Sequence, residues 1–250
     1  MEKIKNDIQE LFTDTSFQTC HLSGNGVIRE VEEMIMDYYE KKYVVTFPNA
    51  TTAIWSLILA LNLRNKVIAS SPFGWAGAIA PFLLFSNKVL FTNVDSSLNM
   101  NGLKNLTRND GLDAIFSIDF GGIPADTNRL KSIAQNAGAI LISDSSQSFG
   151  AARDGKPAGF WADAVILSFT STKAINCLEG GAVVTDDEDI FQKLIQNSQH
   201  PYRQKMYFGT RSFNEFTQVN GRMNPFSAMF LKYTFADQFE RLISIQDKYY

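Results

Sequence analysis

Lys173 lies in a short polar segment between two apolar runs, a place where an amine can do carbonyl chemistry. The runs are "DAVILSF" (163–169) and "GGAVVTD" (180–186). A lysine held partly away from water has a lowered pKa, and its neutral amine can attack a carbonyl carbon. Taken alone, a lysine in such a segment is more often an ordinary solvated loop residue.

Other polar or aromatic groups follow the apolar runs, where ligands of open α/β sheets collect. A helix start that carries hydroxyls suits a phosphate, and a carboxylate facing a pyridine nitrogen keeps that ring protonated. One cofactor uses a lysine, a carboxylate, an anion site and an aromatic together, so the set predicts pyridoxal 5′-phosphate (PLP). Besides Lys173, the residues are Thr51, Trp75, Asp144, Gln147 and Ser168.

Each of these residues also has an ordinary structural interpretation. The stretch "DSSQ" fits a helix capping box, with Asp144 at the N-cap and Gln147 at N3. Trp75 at the start of an apolar helix is more often a core residue. His21 and His200 show no metal-ligand spacing, so no metal site is predicted. His200 is more typical of a surface loop than of a site. Only the joint pattern favours the cofactor.

Seven short apolar runs are typical of strands buried on both faces, and helical patterns separate most of them. This alternation predicts a three-layer αβα fold with a seven-stranded, mainly parallel mixed sheet. About ten residues connect the last two strands, too few for a helical crossover, so one strand should be antiparallel. We expect residues 1–250 to form one domain that ends in a long helix from Pro225 to about Lys248. The runs span residues 43–47, 66–70, 88–94, 113–119, 139–145, 163–169 and 180–186.

Composition and charge exclude several functional classes. The 250 residues carry a net charge of −3, so no basic surface indicates binding to nucleic acid. No window approaches the ~18 apolar residues that span a bilayer, and the N-terminus does not read as a secretory signal. The two cysteines lie far apart and lack metal-ligand spacing, which favours a cytoplasmic location.

Several motifs resemble those of the DegT/DnrJ/EryC1/StrS family, PLP-dependent sugar aminotransferases of fold type I. The resemblance covers roughly residues 20–235, with the motifs in the family's order. It implies a fold type I large domain. The motifs are "LSGNGVIREVEE", "NATTAI", "PFGWAGAIAPFLLFSNKVLFTNVD", "DFGGIPAD", "ISDSSQSFGA", "LSFTSTKAINCLEGGAVVTDD" and "QVNGRMNPFSA".

The resemblance also implies roles around the cofactor ring. Lys173 matches the lysine that the family links covalently to the cofactor, and Asp144 the carboxylate that pairs with the ring nitrogen. Gln147 would lie near the phenolic oxygen, and Trp75 would stack on the ring. The implied reaction transfers an amino group, commonly from glutamate, to a keto sugar, most often nucleotide-linked, or to another small keto substrate.

Further implied roles concern the phosphate and a second subunit. Thr51, the Ala50 backbone and Ser168 would hold the phosphate. Asn220 matches an asparagine that reaches the phosphate of the neighbouring subunit, which implies a homodimer with shared active sites.

The chain also departs from the family pattern. Family members continue well beyond the "NGRMN" segment into a small C-terminal domain, so we expect this domain to be largely missing here. Thr170 replaces the usual histidine, and Leu178 replaces a small residue. Two alternatives stay open. One is a PLP-dependent lyase, dehydratase or epimerase, although Lys173 opposes the dehydratase branch, which has histidine there. The other is a non-catalytic shortened homologue that acts as a partner subunit. A second protein could then complete the site.

Overall fold

A mixed sheet forms the centre of the computed structural model, which describes residues 2–13, 20–103, 111–209 and 219–249. Seven strands make up this sheet in the spatial order β1-β9-β8-β5-β4-β2-β3. Two further strands, β6 (Ala152–Arg153) and β7 (Lys156–Pro157), form a separate small hairpin. The strands of the main sheet are β1 (Tyr43–Phe47), β2 (Val67–Ser70), β3 (Lys88–Phe91), β4 (Ala114–Ile118), β5 (Ile140–Asp144), β8 (Ala164–Ser168) and β9 (Gly181–Thr185).

Strand β9 runs against the direction of the rest of the sheet. It pairs antiparallel with both β8 and β1, whereas β3, β2, β4, β5 and β8 pair in parallel. Ser168 lies opposite Gly181, so the segment between β8 and β9 leaves and re-enters the sheet at one edge. The expectation of one antiparallel strand is therefore confirmed, and Lys173 lies in this connection.

Helices cover both faces of the sheet and bury an apolar core on each. One core contains residues of α2, α5 and α8, and the other contains residues of α3, α4 and α6. This arrangement confirms the predicted three-layer α/β fold. The helices are α1 (Glu2–Thr13), α2 (Val27–Tyr39), α3 (Ala50–Ala60), α4 (Ala76–Leu84), α5 (Thr127–Ala137), α6 (Glu188–Ser198), α7 (Pro201–Phe208) and α8 (Pro225–Tyr249).

Side-chain caps explain where several helices begin. The Asn49 side chain accepts a hydrogen bond from the Thr52 amide at 2.8 Å and starts α3. Asp126 caps α5 through the Arg129 amide in the same way. Among the described helices, none combines the length and apolar character that a membrane span needs.

One sequence expectation needs correction, and one helix was not expected. Strand β3 is not buried on both faces, because it is the edge strand and its Leu90 and Phe91 are exposed. Helix α7 was not predicted, because it buries the polar residues Arg203 and Gln204 and so lacks an apolar period. Residues 210–218, shortly after this helix, lie outside the described residues. The single-domain division stays a prediction.

Candidate functional site

A cavity of about 650 Å³ opens at the carboxyl edge of the sheet. Its walls come from the start of α3, the segment before α4, the turn after β5 and the connection between β8 and β9. Seven of the eight predicted site residues line it, although they come from distant parts of the chain. They are Ala50, Thr51, Trp75, Asp144, Gln147, Ser168 and Lys173.

Asp144, the last residue of β5, supplies a carboxylate that is only 6% exposed. Its Oδ1 accepts a hydrogen bond from the Ser146 amide at 3.1 Å. Burial raises the pKa of Asp144, while hydrogen bonding from Ser146 and the positive charge of Lys173 act to lower it. The carboxylate is therefore held in the cavity wall with little solvation, where a cationic group would be favourable.

A second carboxylate, Asp119, lies behind the turn that follows Asp144. It is fully buried and accepts hydrogen bonds from the Ser145 hydroxyl at 2.9 Å, the Ser148 hydroxyl and the Ala125 amide. Burial raises the pKa of Asp119 to about 6. The sequence interpretation missed this residue, although it directly follows β4 at the edge of the sheet where Asp144 ends β5.

Gln147 joins the same turn to the segment after β4. Its Oε1 accepts a hydrogen bond from the Gly121 amide at 3.0 Å. Residues 146–150 form a turn and not a helix, so the capping-box interpretation of "DSSQ" is wrong. Asp144 and Gln147 are instead held in place by backbone amides, which fixes this wall of the cavity.

The first turn of α3 forms another wall. Ala50 and Thr51 are its first two residues, and amides at this position have no partner within a helix. Gly181 packs against this turn so closely that an added Cβ would lie 2.6 Å from the Ala50 nitrogen. Thr51 and Ser168, which both carry hydroxyls, line the same cavity. The local geometry therefore offers several hydrogen-bond donors to an anion.

Trp75 covers one side of the cavity and is 76% exposed, so it is not a core residue. It directly precedes α4 and adopts an extended backbone conformation. A Cβ added at Gly77 would lie 2.7 Å from the Trp75 Nε1 and 3.1 Å from the Thr51 Oγ1. The glycine thus lets the indole and the hydroxyl approach one another. A planar ligand between the walls would meet the indole.

Lys173 is held by a hydrogen-bonded connection between β8 and β9. The Phe169 amide donates to Gly180, the Cys177 amide to Phe169 and the Lys173 amide to Thr170, each at 2.8–2.9 Å. Thr170, which replaces the family's usual histidine, also lines the cavity. Leu178 adopts a left-handed φ of 72° and is exposed, which makes a large side chain tolerable there but strained.

Two polar residues lie away from the cavity lining. Asn220 is exposed, and its Oδ1 accepts a hydrogen bond from Arg222 Nε at 2.9 Å. Its predicted role toward a neighbouring subunit stays a prediction. The His200 Nδ1 accepts a hydrogen bond from the Tyr202 amide and caps α7, which gives His200 a structural role.

Comparisons with known proteins find relatives of similar sequence and structures of similar fold. A 29% identical relative over 177 residues is UDP-4-amino-4,6-dideoxy-N-acetyl-beta-L-altrosamine transaminase of Campylobacter jejuni, with 69% of this chain and 47% of the relative covered. GDP-4-keto-6-deoxy-D-mannose 3-dehydratase of Yersinia pseudotuberculosis is 25% identical over 241 residues, which cover 92% of this chain and 58% of that protein.

The solved structure of Helicobacter pylori PseC, an aminotransferase involved in the biosynthesis of pseudoaminic acid, has a similar fold. Its TM-score is 0.78 at 21% identity, over 94% of this chain and 62% of that one. The chain thus spans about half the length of the curated relatives it matches. The model of the DegT/DnrJ/EryC1/StrS aminotransferase family matches residues 2–247. The chain belongs to this family.

Proposed function

We propose that the chain binds PLP and transfers an amino group to a keto sugar, with glutamate as the expected donor and a nucleotide-linked sugar as the expected acceptor. The observation that carries the proposal is that Lys173 and Asp144 line one cavity with Thr51 and Trp75. Family membership supports it, as do the names of relatives that are nucleotide-sugar transaminases.

The residues present fit this cofactor. Asp144 is buried and meets few donors from the chain, so a protonated ring nitrogen would be a favourable partner. The first turn of α3, with Thr51, and Ser168 offer donors to a phosphate. Trp75 presents a large exposed ring to a flat aromatic group. The close approaches at Gly77 and Gly181 show that side chains there would crowd these groups.

Bound PLP supplies an electrophilic carbon and a ring that accepts electrons. Asp144 stabilises positive charge at the ring nitrogen through its buried carboxylate. Lys173 would hold the cofactor covalently through Nζ, and once an amino donor has displaced it, its free amine would act as the general base that carries the proton. Thr51 and Ser168 orient the phosphate, while Trp75 shields one ring face from water.

The test combines a covalent label with turnover. Borohydride treatment of the PLP-loaded protein should attach the cofactor to Lys173, as peptide mass spectrometry can show. Lys173→Ala should abolish the label, whereas Lys193→Ala, an exposed lysine on α6, should retain it. Added glutamate should then convert the cofactor to its amine form. A native protein that takes up no PLP would refute the proposal.

A dehydratase is the second candidate, because the Yersinia dehydratase aligns with 92% of this chain. Lys173 opposes this candidate, since the family's dehydratase branch has a histidine at this position. The products separate the two reactions, because a transaminase adds nitrogen to the sugar and a dehydratase removes a hydroxyl. If glutamate and other amino donors leave the cofactor spectrum unchanged, the lyase or epimerase alternative is favoured.

The homodimer with shared active sites stays part of the proposal, with exposed Asn220 as its supporting residue. Asn220→Ala should weaken PLP binding without unfolding the chain, and analytical ultracentrifugation should show a dimer. A second protein that completes the site is the alternative, and a monomer that needs another chain for turnover would favour it. The cytoplasmic location also stays a prediction from the sequence.

A further inference from the structure

Helix α8 runs beside the connection that carries Lys173, and the Gln238 side chain joins the two by hydrogen bonds. The Gln238 carboxamide accepts a hydrogen bond from the Asn176 amide at 2.7 Å and donates one to the Asn176 carbonyl at 2.9 Å. Both bonds are to one residue's backbone, so the carboxamide clamps the connection in the way that a neighbouring strand would. Asn176 lies three residues after Lys173.

The clamp is linked at both ends. On the helix side, Gln238 Nε2 donates to the Thr234 hydroxyl at 2.6 Å, and that hydroxyl donates to the Phe230 carbonyl at 2.7 Å. On the other side, the Asn176 side chain donates to the Lys173 carbonyl at 3.2 Å. A continuous chain of hydrogen bonds therefore connects the backbone of α8 with the backbone of Lys173.

Apolar packing holds α8 against the same connection. A Cβ added at Gly150 would lie 2.4 Å from Leu242, 3.2 Å from Ile175 and 3.6 Å from Phe239. Ile175 is buried in the core against which Phe239 and Leu242 pack. Because α8 and the lysine connection meet over this glycine, the position of Gln238 relative to Asn176 is fixed on two sides.

A groove of about 550 Å³ separates the remainder of α8 from the connection, and Lys173 lines both this groove and the cofactor cavity. The charged groups in it are Lys173, Asp237 and Arg241. Gln238 also lines this groove, and its carboxamide bonds to the Asn176 backbone on the other side. Without its two bonds, the segment after Lys173 would lose its polar contact with α8.

We infer that Gln238 is a positioning residue for Lys173, an assignment that rests on the proposed function. A carboxamide suits the place because it offers one donor and one acceptor side by side, as the Asn176 backbone requires. An ionised carboxylate has no donor and would meet the Asn176 carbonyl with a second negative oxygen. A thioether of similar size would make neither bond.

The test uses Gln238→Met and Gln238→Glu, with Glu240→Ala as the control on the same helix. Glu240 is exposed, so its removal should change nothing. We expect Gln238→Met to retain the borohydride label on Lys173 but to slow single-turnover conversion with glutamate by about tenfold to a hundredfold, because small displacements of a reacting group have effects of this size.

Gln238→Glu adds a readout that general loss of structure would not produce. At neutral pH the introduced carboxylate should slow the reaction as Gln238→Met does. When the introduced carboxyl group is protonated, it again offers a donor and an acceptor. The reaction rate of Gln238→Glu relative to the native protein should therefore recover as the pH falls. Recovery in Gln238→Glu and not in Gln238→Met supports the assignment.

The inference and the proposed function fail separately. If the native protein does not link PLP to Lys173, the proposed function falls, and with it the reason for a positioned lysine. If the native protein is labelled and Gln238→Met reacts at the native rate with the native pH profile, only the assignment of Gln238 is overturned. Should Gln238→Met fail to fold, a pH-independent rate ratio for Gln238→Glu overturns the assignment equally.

Discussion

Glu32 and Asp144 are both carboxylates removed from water, but the chain satisfies them to different degrees. Glu32 is fully buried and accepts hydrogen bonds from the Thr46 amide, the Thr46 hydroxyl and both terminal nitrogens of Arg203, at 2.6–3.0 Å. Asp144 lies at a cavity and accepts from the Ser146 amide, and burial raises its pKa. A complete set of partners indicates a structural role, and a partial set facing a cavity indicates a binding role.

The largest expected effect is on the Glu32 side of this comparison. Glu32→Ala should lower the free energy of unfolding by about 3–5 kcal/mol, because it leaves the Arg203 charge buried without its partner. Glu33→Ala is a matched control on the same helix, since it removes an exposed pair with Arg29 that contributes about 1 kcal/mol or less. Urea denaturation measures both. Equal effects of the two variants would contradict the structural role of Glu32.

Asp144→Asn should change activity far more than stability. If PLP binds as proposed, the substitution removes the negative carboxylate beside the ring nitrogen. The rate of amino transfer should then fall by about a hundredfold to a thousandfold, as when one electrostatic contact to a reacting group is lost. Its unfolding free energy should stay equal or rise, because a poorly solvated carboxylate becomes neutral. Steady-state rates and urea denaturation provide the two readouts. A large stability loss with native activity per folded molecule would reverse the assignment.

Asp119 lies between the two cases, because it is fully hydrogen-bonded and yet has a pKa raised to about 6. Folding therefore favours its protonated form, so its stabilising contribution is complete below pH ~4 and is lost as the pH rises through about 6. The native protein should lose up to about 3 kcal/mol relative to Asp119→Asn between pH 4 and pH 8.

Urea denaturation at several pH values measures this difference for Asp119. Asp154→Asn is the control. The Asp154 side chain is 84% exposed, so this substitution should cause no pH-dependent change in the free energy of unfolding. A pH-independent difference between the native protein and Asp119→Asn would show that Asp119 is ionised throughout.

The smallest expected effect concerns the exposed wall of the cavity. Trp75→Ala should weaken PLP binding by about 0.5–1.5 kcal/mol beyond the lost burial, the value of an aromatic contact. Trp161→Ala is the control, because Trp161 packs on Phe160 away from the cavity. Equilibrium dialysis measures both affinities. If the two variants bind alike, Trp75 does not stack on the cofactor.

The strands and most helices were predictable because their burial leaves a regular apolar pattern. Helix α7 was not predictable, since its buried Arg203 donates to Glu32, which lies 171 residues away in the sequence. Asp119 was predictable, because it directly follows a buried strand at the edge of the sheet where Asp144 ends the neighbouring strand. Gln238 was not predictable, because an amide on a helix surface carries no local signal for a backbone partner 62 residues away.

Because β9 is reversed, both ends of the segment that carries Lys173 are attached to adjacent strands at the same edge, with Ser168 facing Gly181. The segment is therefore anchored to the sheet at both ends. Successive rounds of bond making and breaking at Nζ would require only torsions of the four-carbon stem, with the main chain stationary. The opposite walls of the cavity would then keep their spacing throughout the proposed reaction.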